Sequence, residues 1–241
     1  MAKNMKKRIV LKIGSSSITT DGALNMKVIN SVAYQVSLIY KLGLEIVIVS
    51  SGAVACGKNK LQLKKNVSSS QIAAIYGQNH LISAWSKAFE KFNVNVGQVL
   101  ISEKDLKNRS TPIIRGLRHG IQIINANDAV NDEEMKAFFL SSDNDKLAGH
   151  IAQFIGANTL ILLTDVEGVL DVSRKVIREF GRKNQAGLFG KSKVGTGGIE
   201  SKINVGLKST RKGIETFIAN AHKKDVILKI LAGTKIGTKF L

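Results

Sequence analysis

Short apolar runs rich in β-branched residues alternate along this chain with segments of helical periodicity. The run Glu45–Ser50 reads Glu-Ile-Val-Ile-Val-Ser, and Arg8–Ile13 is a similar run close to the amino terminus. Between the two, apolar residues recur at helical spacing and Gly43 follows them as a stop signal. Alternation of this kind is typical of a parallel sheet covered by helices. The sequence therefore predicts an α/β fold.

The same patterns predict the other elements of the chain. We expect strands over 94–101, 121–124, 159–163 and 216–219, and a closing edge strand over 236–240. Helices are expected over 69–92, 143–154 and 199–212. The first of these helices should turn five large side chains inward: Ile72, Ile75, Leu81, Trp85 and Phe89. The polar, basic stretch 171–193 is expected to form a hairpin or a mobile flap.

The bulk properties fit one continuous domain over residues 1–241. A hydrophobic content of 44% can fill a sizeable core, and no apolar run approaches the roughly 20 residues that a membrane span requires. The apolar run near the amino terminus is too short for a signal peptide, so we expect a soluble, cytoplasmic protein. The single cysteine, Cys56, excludes an internal disulfide and a cysteine-based zinc site. Because the four histidines are dispersed, no metal site built from protein side chains is predicted.

The formal charge of +18 at pH 7 raises the question of nucleic acid. The excess is mainly lysine and is scattered, whereas sequence-specific readers of bases favour arginine. Aromatic residues that could stack on bases make up only 5% of the chain. We therefore expect a lysine-rich solvated surface that attracts anionic ligands, with no specific nucleic-acid partner.

Glycine and small polar residues follow four of the predicted strands, at the point where each strand ends. In open α/β sheets, ligands bind beyond the carboxyl ends of the strands. These residue types also form ordinary turns, but four such ends favour a functional edge. The four segments are Gly14-Ser15-Ser16, Ser50-Ser51-Gly52-Ala53, Asn125-Ala126-Asn127-Asp128-Ala129 and Thr164-Asp165-Val166-Glu167-Gly168.

A glycine-dense turn from Gly195 to Gly198 runs directly into a helical pattern that carries Lys202. Such a turn can bring backbone N–H groups and a positive helix end close to phosphate oxygens. Lys12 and Lys202 could flank a phosphoryl group, and Asp145 could hold both by charge pairing. Phosphoryl transfer needs this kind of positioning and cationic stabilisation. The chain contains neither a P-loop sequence nor the His-Arg-Asp pattern of protein kinases.

The strand-end segments, together with Lys12-Ile13-Gly14, Asp143-Asn144-Asp145 and Thr196–Lys202, resemble the amino acid kinase family in order and nearly in spacing. The resemblance covers nearly the whole chain. Its Asn-Asp-Ala-Val and Asp-Asn-Asp motifs are most similar to the branch that phosphorylates the γ-carboxylate of L-glutamate, the first step of proline biosynthesis. The resemblance implies a three-layer α-β-α sandwich with a mainly parallel central sheet. Its N-terminal half would bind the acceptor, and its C-terminal half ATP with Mg²⁺.

The resemblance also implies a role for each matching residue. Catalysis would fall to Lys12, Asp145 and Lys202. ATP would be bound by Lys12, Gly14, Thr164, Asp165, Thr196, Gly197, Gly198, Ile199, Glu200, Ser201 and Lys202. L-glutamate would be bound by Ser51, Gly52, Asp128 and Asn144. Magnesium would be held by the ATP phosphates and water, with no protein ligand.

The family resemblance also implies partners. Proline is expected as a feedback inhibitor acting through the loop 131–142, and a homo-oligomer is expected.

The sequence departs from the family pattern at several places. After Gly168 the chain lacks the family's aromatic residue and Asp-Pro pair, and Pro112 lies where a helix is expected. Longer members of the family add a C-terminal PUA domain, and the 241 residues are not expected to include one.

Two other functions stay open on the sequence alone. One is a kinase of the same fold acting on another carboxylate, carbamate or phosphate. The other is a non-catalytic binding protein on the same scaffold. The residues expected to bind glutamate, Ser51, Asp128 and Asn144, argue against the first. The presence of Lys12, Asp145 and Lys202 together argues against the second.

Overall fold

A computed structural model describes residues 7–62, 67–101, 110–129, 144–181 and 198–241. Its strands are β1 (Arg8–Ile13), β2 (Thr19–Thr20), β3 (Ala23–Leu24), β4 (Glu45–Ser50), β5 (Val96–Ile101), β6 (Ile121–Ala126), β7 (Thr159–Thr164), β8 (Glu179–Phe180), β9 (Glu215–Asn220) and β10 (Thr238–Phe240). Within the described residues, eight of them form one sheet in the order β5-β6-β4-β1-β7-β9-β10-β8. Neighbours in this sheet run parallel, except that β10 pairs antiparallel with β9. The strands β2 and β3 form a separate small hairpin.

The described helices lie between the strands of the sheet. They are α1 (Ser15–Ile18), α2 (Met26–Lys41), α3 (Ala53–Leu61), α4 (Val67–Glu90), α5 (Ser110–Gly116), α6 (Asn144–Phe154), α7 (Ile199–Thr210) and α8 (Val226–Leu231). The side chain of Asn25 caps α2 by accepting a hydrogen bond from the Val28 N–H at 3.2 Å. Beyond α2, Gly43 adopts a φ of 86°, a left-handed conformation that glycine tolerates best.

The two faces of the sheet pack against different helices, which gives the predicted three-layer sandwich. On β1, Ile9, Leu11 and Ile13 face one layer, which contains α2, the carboxyl-terminal half of α4, and α8. Val10 faces the other layer, formed largely by α5, α6 and α7. Because side chains alternate along a strand, Lys12 shares the face of Val10. The period of β1 therefore turns this lysine toward α6 and α7.

The structure corrects three details of the sequence prediction. Ile72 and Ile75 on α4 were expected to face inward, but they are 41% and 56% exposed. The closing strand is not an edge, because β10 lies between β9 and β8. Pro112 does not prevent a helix, since it lies in the first turn of α5, where its missing N–H is not needed.

Part of the predicted hairpin is also visible. Leu170 and Val176 form an isolated antiparallel bridge around a tight turn, and residues 182–193 lie outside the described residues. Within the part of the chain that the structure describes, no helix is long and apolar enough to cross a membrane. Cys56 is buried, and burial raises the pKa of its thiol.

Candidate active site

Three charged side chains meet at the carboxyl edge of the sheet. The Nζ atom of Lys12 lies 2.7 Å from one carboxylate oxygen of Asp145, and the Nζ atom of Lys202 lies 3.0 Å from the other. The side chain of Asp145 is fully buried, and those of the two lysines are 6% and 9% exposed. The structure thus brings together residues that are far apart in the sequence. Two ammonium groups share one carboxylate, so these three groups together keep a positive charge.

Each member of this cluster is placed by a different element. Lys12 lies in register with Val49 of β4 and Leu162 of β7, so it is on a strand with neighbours on both sides, near the carboxyl end of that strand. Asp145 is in the first turn of α6, where the helix dipole favours a negative charge. Lys202 is in the first turn of α7, where the dipole disfavours a positive charge. Its ion pair with Asp145 offsets that penalty.

One glycine borders the cluster, and a second follows the adjacent strand β4. A Cβ atom added at Gly14 would lie 3.4 Å from the Nζ atom of Lys12, in van der Waals contact with the ammonium group. Gly52 begins α3 with a φ of 110°, and a Cβ atom there would lie 3.0 Å from Cδ1 of Ile18. A side chain at Gly52 would therefore be strained by its backbone conformation and by the lack of space.

Among the residues expected to bind the acceptor, Asn144 joins two strand ends through its amide nitrogen. This Nδ2 atom donates to the Ser51 hydroxyl at 2.8 Å and to the Asn125 side-chain oxygen at 3.1 Å. Asn125 in turn donates to the Gln78 side-chain oxygen at 2.9 Å. Asn125 and Gln78 were not assigned to the site from the sequence, although Asn125 lies in one of the strand-end segments that carry the family resemblance. Their burial and mutual contact join segments 47 residues apart, which the sequence cannot show.

Asp128 lies just beyond β6, where it lines a cavity of about 310 Å³ together with Gln78, Asn79 and Gln98. Burial raises the pKa of this carboxyl to about 6. The cause is desolvation, which disfavours the charged form. A cation held against this carboxylate would favour its ionised form, so the cavity suits a ligand with an ammonium group.

The residues expected at the nucleotide lie around the ends of β7 and α7. The hydroxyl of Thr164 donates to the carboxylate of Asp165 at 3.1 Å, and Asp165 itself is exposed. Gly198 precedes α7. Glu200 is exposed, whereas Ile199 and Ser201 are half-buried. Thr196 and Gly197 lie outside the described residues.

A second polar contact near this edge was not expected from the sequence. Glu167 accepts from the Asn220 amide at 3.0 Å and lies 3.1 Å from the Nζ atom of Lys223. These contacts tie the segment that follows β7 to the segment that follows β9. They are exposed to solvent, so each adds little stability.

The arrangement is suited to holding transferable phosphate next to an acidic acceptor. Fixed cations in a water-poor site stabilise developing charge much better than mobile cations in water do. The cluster of Lys12, Asp145 and Lys202 supplies such cations, and Asp128 follows β6, which is separated from β1 by β4. Among the described residues, no group of three or more His, Cys, Asp or Glu side chains could hold a metal ion.

Comparison with known proteins supports the same chemistry. Residues 7–220 match the model of the amino acid kinase family. The chain is 35% identical over 255 residues to a glutamate 5-kinase of Clostridium acetobutylicum, covering 97% of this chain and 94% of that protein. It is also 35% identical over 256 residues to a glutamate 5-kinase of Pasteurella multocida, covering 97% and 68%.

Solved structures with the same fold have much lower sequence identity. Carbamate kinase from Giardia lamblia bound to AMP-PNP superposes with a TM-score of 0.69 at 16% identity, covering 98% of both chains. Isopentenyl phosphate kinase of T. acidophilum gives a TM-score of 0.68 at 18% identity, covering 98% of this chain and 100% of that one. These two similarities establish the fold, and the family match and the closer sequence relatives establish the membership. The chain belongs to the amino acid kinase family, in the group of the glutamate 5-kinases.

Proposed function

We propose that this protein transfers the γ-phosphoryl group of ATP to the γ-carboxylate of L-glutamate, the first step of proline biosynthesis. The observation that carries the proposal is the buried cluster of Lys12, Asp145 and Lys202 at the carboxyl edge of the sheet. The acceptor side chains at the neighbouring strand ends and the glutamate 5-kinase relatives favour glutamate as the acceptor.

The reaction requires charge stabilisation more than proton transfer. An oxygen of the γ-carboxylate attacks the γ-phosphorus of ATP, and the bond from that phosphorus to the bridging oxygen breaks. The electron pair of the broken bond leaves with ADP, and the product is L-glutamyl 5-phosphate. Because a carboxylate is already ionised at neutral pH, the nucleophile needs no general base. Positioning and cationic stabilisation are then the main tasks of the protein.

The cluster divides these tasks among its members. Lys12 would contact the transferring phosphoryl group, and Lys202 would stabilise charge on the nucleotide phosphates. Asp145 would hold both ammonium groups at fixed positions, because its two carboxylate oxygens bind one lysine each. Gly14 and Gly52 would allow backbone N–H groups to approach the phosphate oxygens.

The acceptor and the nucleotide would occupy different halves of one domain. Ser51, Asp128 and Asn144 would hold glutamate, with Asp128 facing its ammonium group. Thr164, Asp165 and the start of α7 would hold ATP. The transferring phosphoryl group would then lie between the halves, beside Lys12.

Mg²⁺ would reach this site on the ATP phosphates. The carboxylate of Asp145 is already paired with two lysines, and the described residues build no cluster of metal ligands. Mg²⁺ commonly keeps several waters and binds through substrate phosphates. We therefore expect the phosphates of ATP and water to be the ligands of Mg²⁺.

A hydroxamate assay tests the proposal directly. The acyl phosphate product should react with added hydroxylamine, so hydroxamate should accumulate only when both ATP and L-glutamate are present. A panel of aspartate, N-acetylglutamate and carbamate in place of glutamate provides the comparison. Greater turnover with any of these three than with glutamate would overturn the assignment of the acceptor. No turnover with glutamate or with any of the three would overturn the assignment of kinase activity.

We expect glutamate use to depend on the ionisation of Asp128. The pKa of this carboxyl is raised to about 6 by burial. Below that pH the carboxyl is neutral and no longer attracts the substrate ammonium group. With ATP saturating, kcat/KM for glutamate should therefore fall about tenfold per pH unit below this pKa and stay level above it.

The Asp128→Asn variant is the control for this profile. It keeps the size of the side chain but carries no charge at any pH. Its KM for glutamate should be raised at neutral pH, its KM for ATP should change little, and the acid limb assigned to Asp128 should disappear. An acid limb that is unchanged in the variant would mean that another group causes it.

We also expect L-proline to inhibit in competition with glutamate. Proline shares the ammonium group and α-carboxylate of glutamate but lacks the γ-carboxylate that receives phosphate. A site built around Asp128 can therefore bind it without phosphorylating it. The loop 131–142 expected to contribute lies outside the described residues. Titrating proline at several glutamate concentrations should raise the apparent KM at constant kcat, and no inhibition at saturating proline would contradict this expectation.

A further inference from the structure

A chain of buried amide side chains crosses the acceptor side of the site and ends at Gln78. Gln78 projects from α4, is 9% exposed and lines the same cavity as Asp128. Its side-chain oxygen accepts from Nδ2 of Asn125 at 2.9 Å, and Oδ1 of Asn125 accepts from Nδ2 of Asn144 at 3.1 Å. Gln78 is assigned no role by the motifs that define the site.

The orientation of every amide in this chain is fixed by one backbone group. The Ala126 N–H lies 2.9 Å from a side-chain atom of Asn125, and a backbone N–H can only donate. That atom of Asn125 must therefore be its oxygen, so the amide nitrogen of Asn125 faces Gln78. The Gln78 atom that it meets must be an acceptor, which leaves the Gln78 nitrogen on the opposite side.

The Asn125 oxygen also fixes the orientation of the Asn144 amide. The Asn144 atom that meets the Asn125 oxygen must be a nitrogen, so the Asn144 oxygen points elsewhere. That nitrogen also donates to the hydroxyl of Ser51, which leaves the Ser51 proton available to donate. The chain thus has a defined polarity that no rotation of a single amide can reverse without breaking a hydrogen bond.

Two polar atoms of these linked amide side chains have no hydrogen-bond partner among the described residues. They are Nε2 of Gln78, a donor, and Oδ1 of Asn144, an acceptor, and both are buried. A buried polar group without a partner is expensive, so such a group in a native protein calls for an explanation. Gln78 also lines a cavity that contains an acidic side chain, Asp128.

We propose that Gln78 is a specificity-determining residue whose Nε2 donates to the α-carboxylate of the acceptor. The inference rests on the proposed function, since it takes the acceptor to be an α-amino acid. Glutamate carries its ammonium group and its α-carboxylate on the same carbon atom. A cavity lined by both Asp128 and Gln78 matches that pair of groups. Asn125 acts as a positioning residue, because it fixes which end of the Gln78 amide faces the ligand.

The Gln78→Glu variant isolates the donor. It keeps an oxygen for Asn125 and nearly the same shape, but it replaces the nitrogen with an oxygen that repels a carboxylate. We expect KM for glutamate to rise about 10- to 100-fold, the effect of losing a hydrogen bond to a charged group, with little change in KM for ATP.

A change of substrate separates recognition from a structural effect. L-isoglutamine carries an amide in place of the α-carboxylate and keeps the γ-carboxylate that is phosphorylated. The amide nitrogen of isoglutamine can donate a hydrogen bond to the side-chain carboxylate of the Gln78→Glu variant. The ratio of kcat/KM for glutamate to that for isoglutamine should fall at least about 10-fold in Gln78→Glu. An unchanged ratio would overturn the proposal, because a merely destabilised site would lose both substrates equally.

Two further variants complete the test. Asn79→Asp adds the same charge to the same cavity from the adjacent position, and it should leave the substrate ratio unchanged. If Asn79→Asp lowers this ratio as Gln78→Glu does, any negative charge in the cavity has the same effect, and the proposed role of Gln78 is overturned. Gln78→Met keeps the length of the side chain without a charge, so a higher KM for glutamate is expected there even if Gln78→Glu folds poorly. An inactive wild-type protein in the hydroxamate assay would instead contradict the proposed function, which keeps the two failures distinct.

Discussion

Replacing Lys12 or Lys202 with methionine is expected to lower kcat by about 100-fold or more, the usual effect of removing a preorganised group that stabilises the transition state. Methionine fills most of the buried volume that each lysine occupies, so the change is mainly a loss of charge. The KM for glutamate should change much less than kcat, because neither lysine is assigned to the acceptor. Initial rates over a matrix of ATP and glutamate concentrations measure both quantities.

The matched control is Lys208→Met on the same helix as Lys202. Lys208 lies in the last turn of α7 and is exposed, so its loss should leave kcat unchanged. The double variant of Lys12 and Lys202 should lose less than the product of the two single effects, because both lysines share Asp145 and act as a unit. Near-normal kcat in either single variant would remove that lysine from the catalytic machinery.

The strands of the sheet were largely predictable because their signal is local. Each long strand is a run of β-branched and apolar residues, such as Glu45–Ser50, and is bounded by turn-forming residues. The positions of the shortest strands were not predictable in this way. The pairing of β10 between β9 and β8 depends on where β9 and β8 lie, and three residues carry too little pattern to reveal a partner.

The error on α4 has a physical cause in the packing of α3. Ala73, Ala74 and Gly77 are buried, whereas the large side chains of Ile72 and Ile75 are exposed. A Cβ atom at Gly77 would overlap the carbonyl oxygen of Ala53 on α3. The two helices therefore pack so closely that only small residues fit between them. An expectation that the largest apolar residues face inward fails at such a contact.

The candidate site was predictable where charge and glycine motifs mark it. Lys12, Asp145 and Lys202 each stand in a recognisable motif, and the parallel sheet brings their strand and helix ends to one edge. The link through Asn125 to Gln78 was not predictable, because it depends on burial and on which amide end faces which partner. Such features become visible only when the distances are known.

Replacing Asp145 with asparagine is expected to be the most damaging single change to the protein. The substitution keeps the shape of the side chain but removes the negative charge that lies between two buried ammonium groups. Removing one partner of a buried ion pair commonly costs about 3–5 kcal/mol of the free energy of unfolding. For a chain of this length, that corresponds to a decrease in melting temperature on the order of 10 °C. The kcat should also fall by about 100-fold or more, because the two lysines lose the group that positions them.

Thermal unfolding with and without ATP tests this explanation. The phosphates of ATP bring negative charge to the two lysines, so saturating MgATP should raise the melting temperature of Asp145→Asn by more than it raises that of the wild type. Glu90→Gln makes the same change in net charge at an exposed position on α4, and its melting temperature should stay close to that of the wild type. A variant at Asp145 that unfolds like the wild type, or that gains no more from ATP, would show that this carboxylate does not balance the lysines. The three side chains would then not be the charge-balanced cluster on which the proposed phosphate site depends, because the two lysines would keep their places without the carboxylate between them.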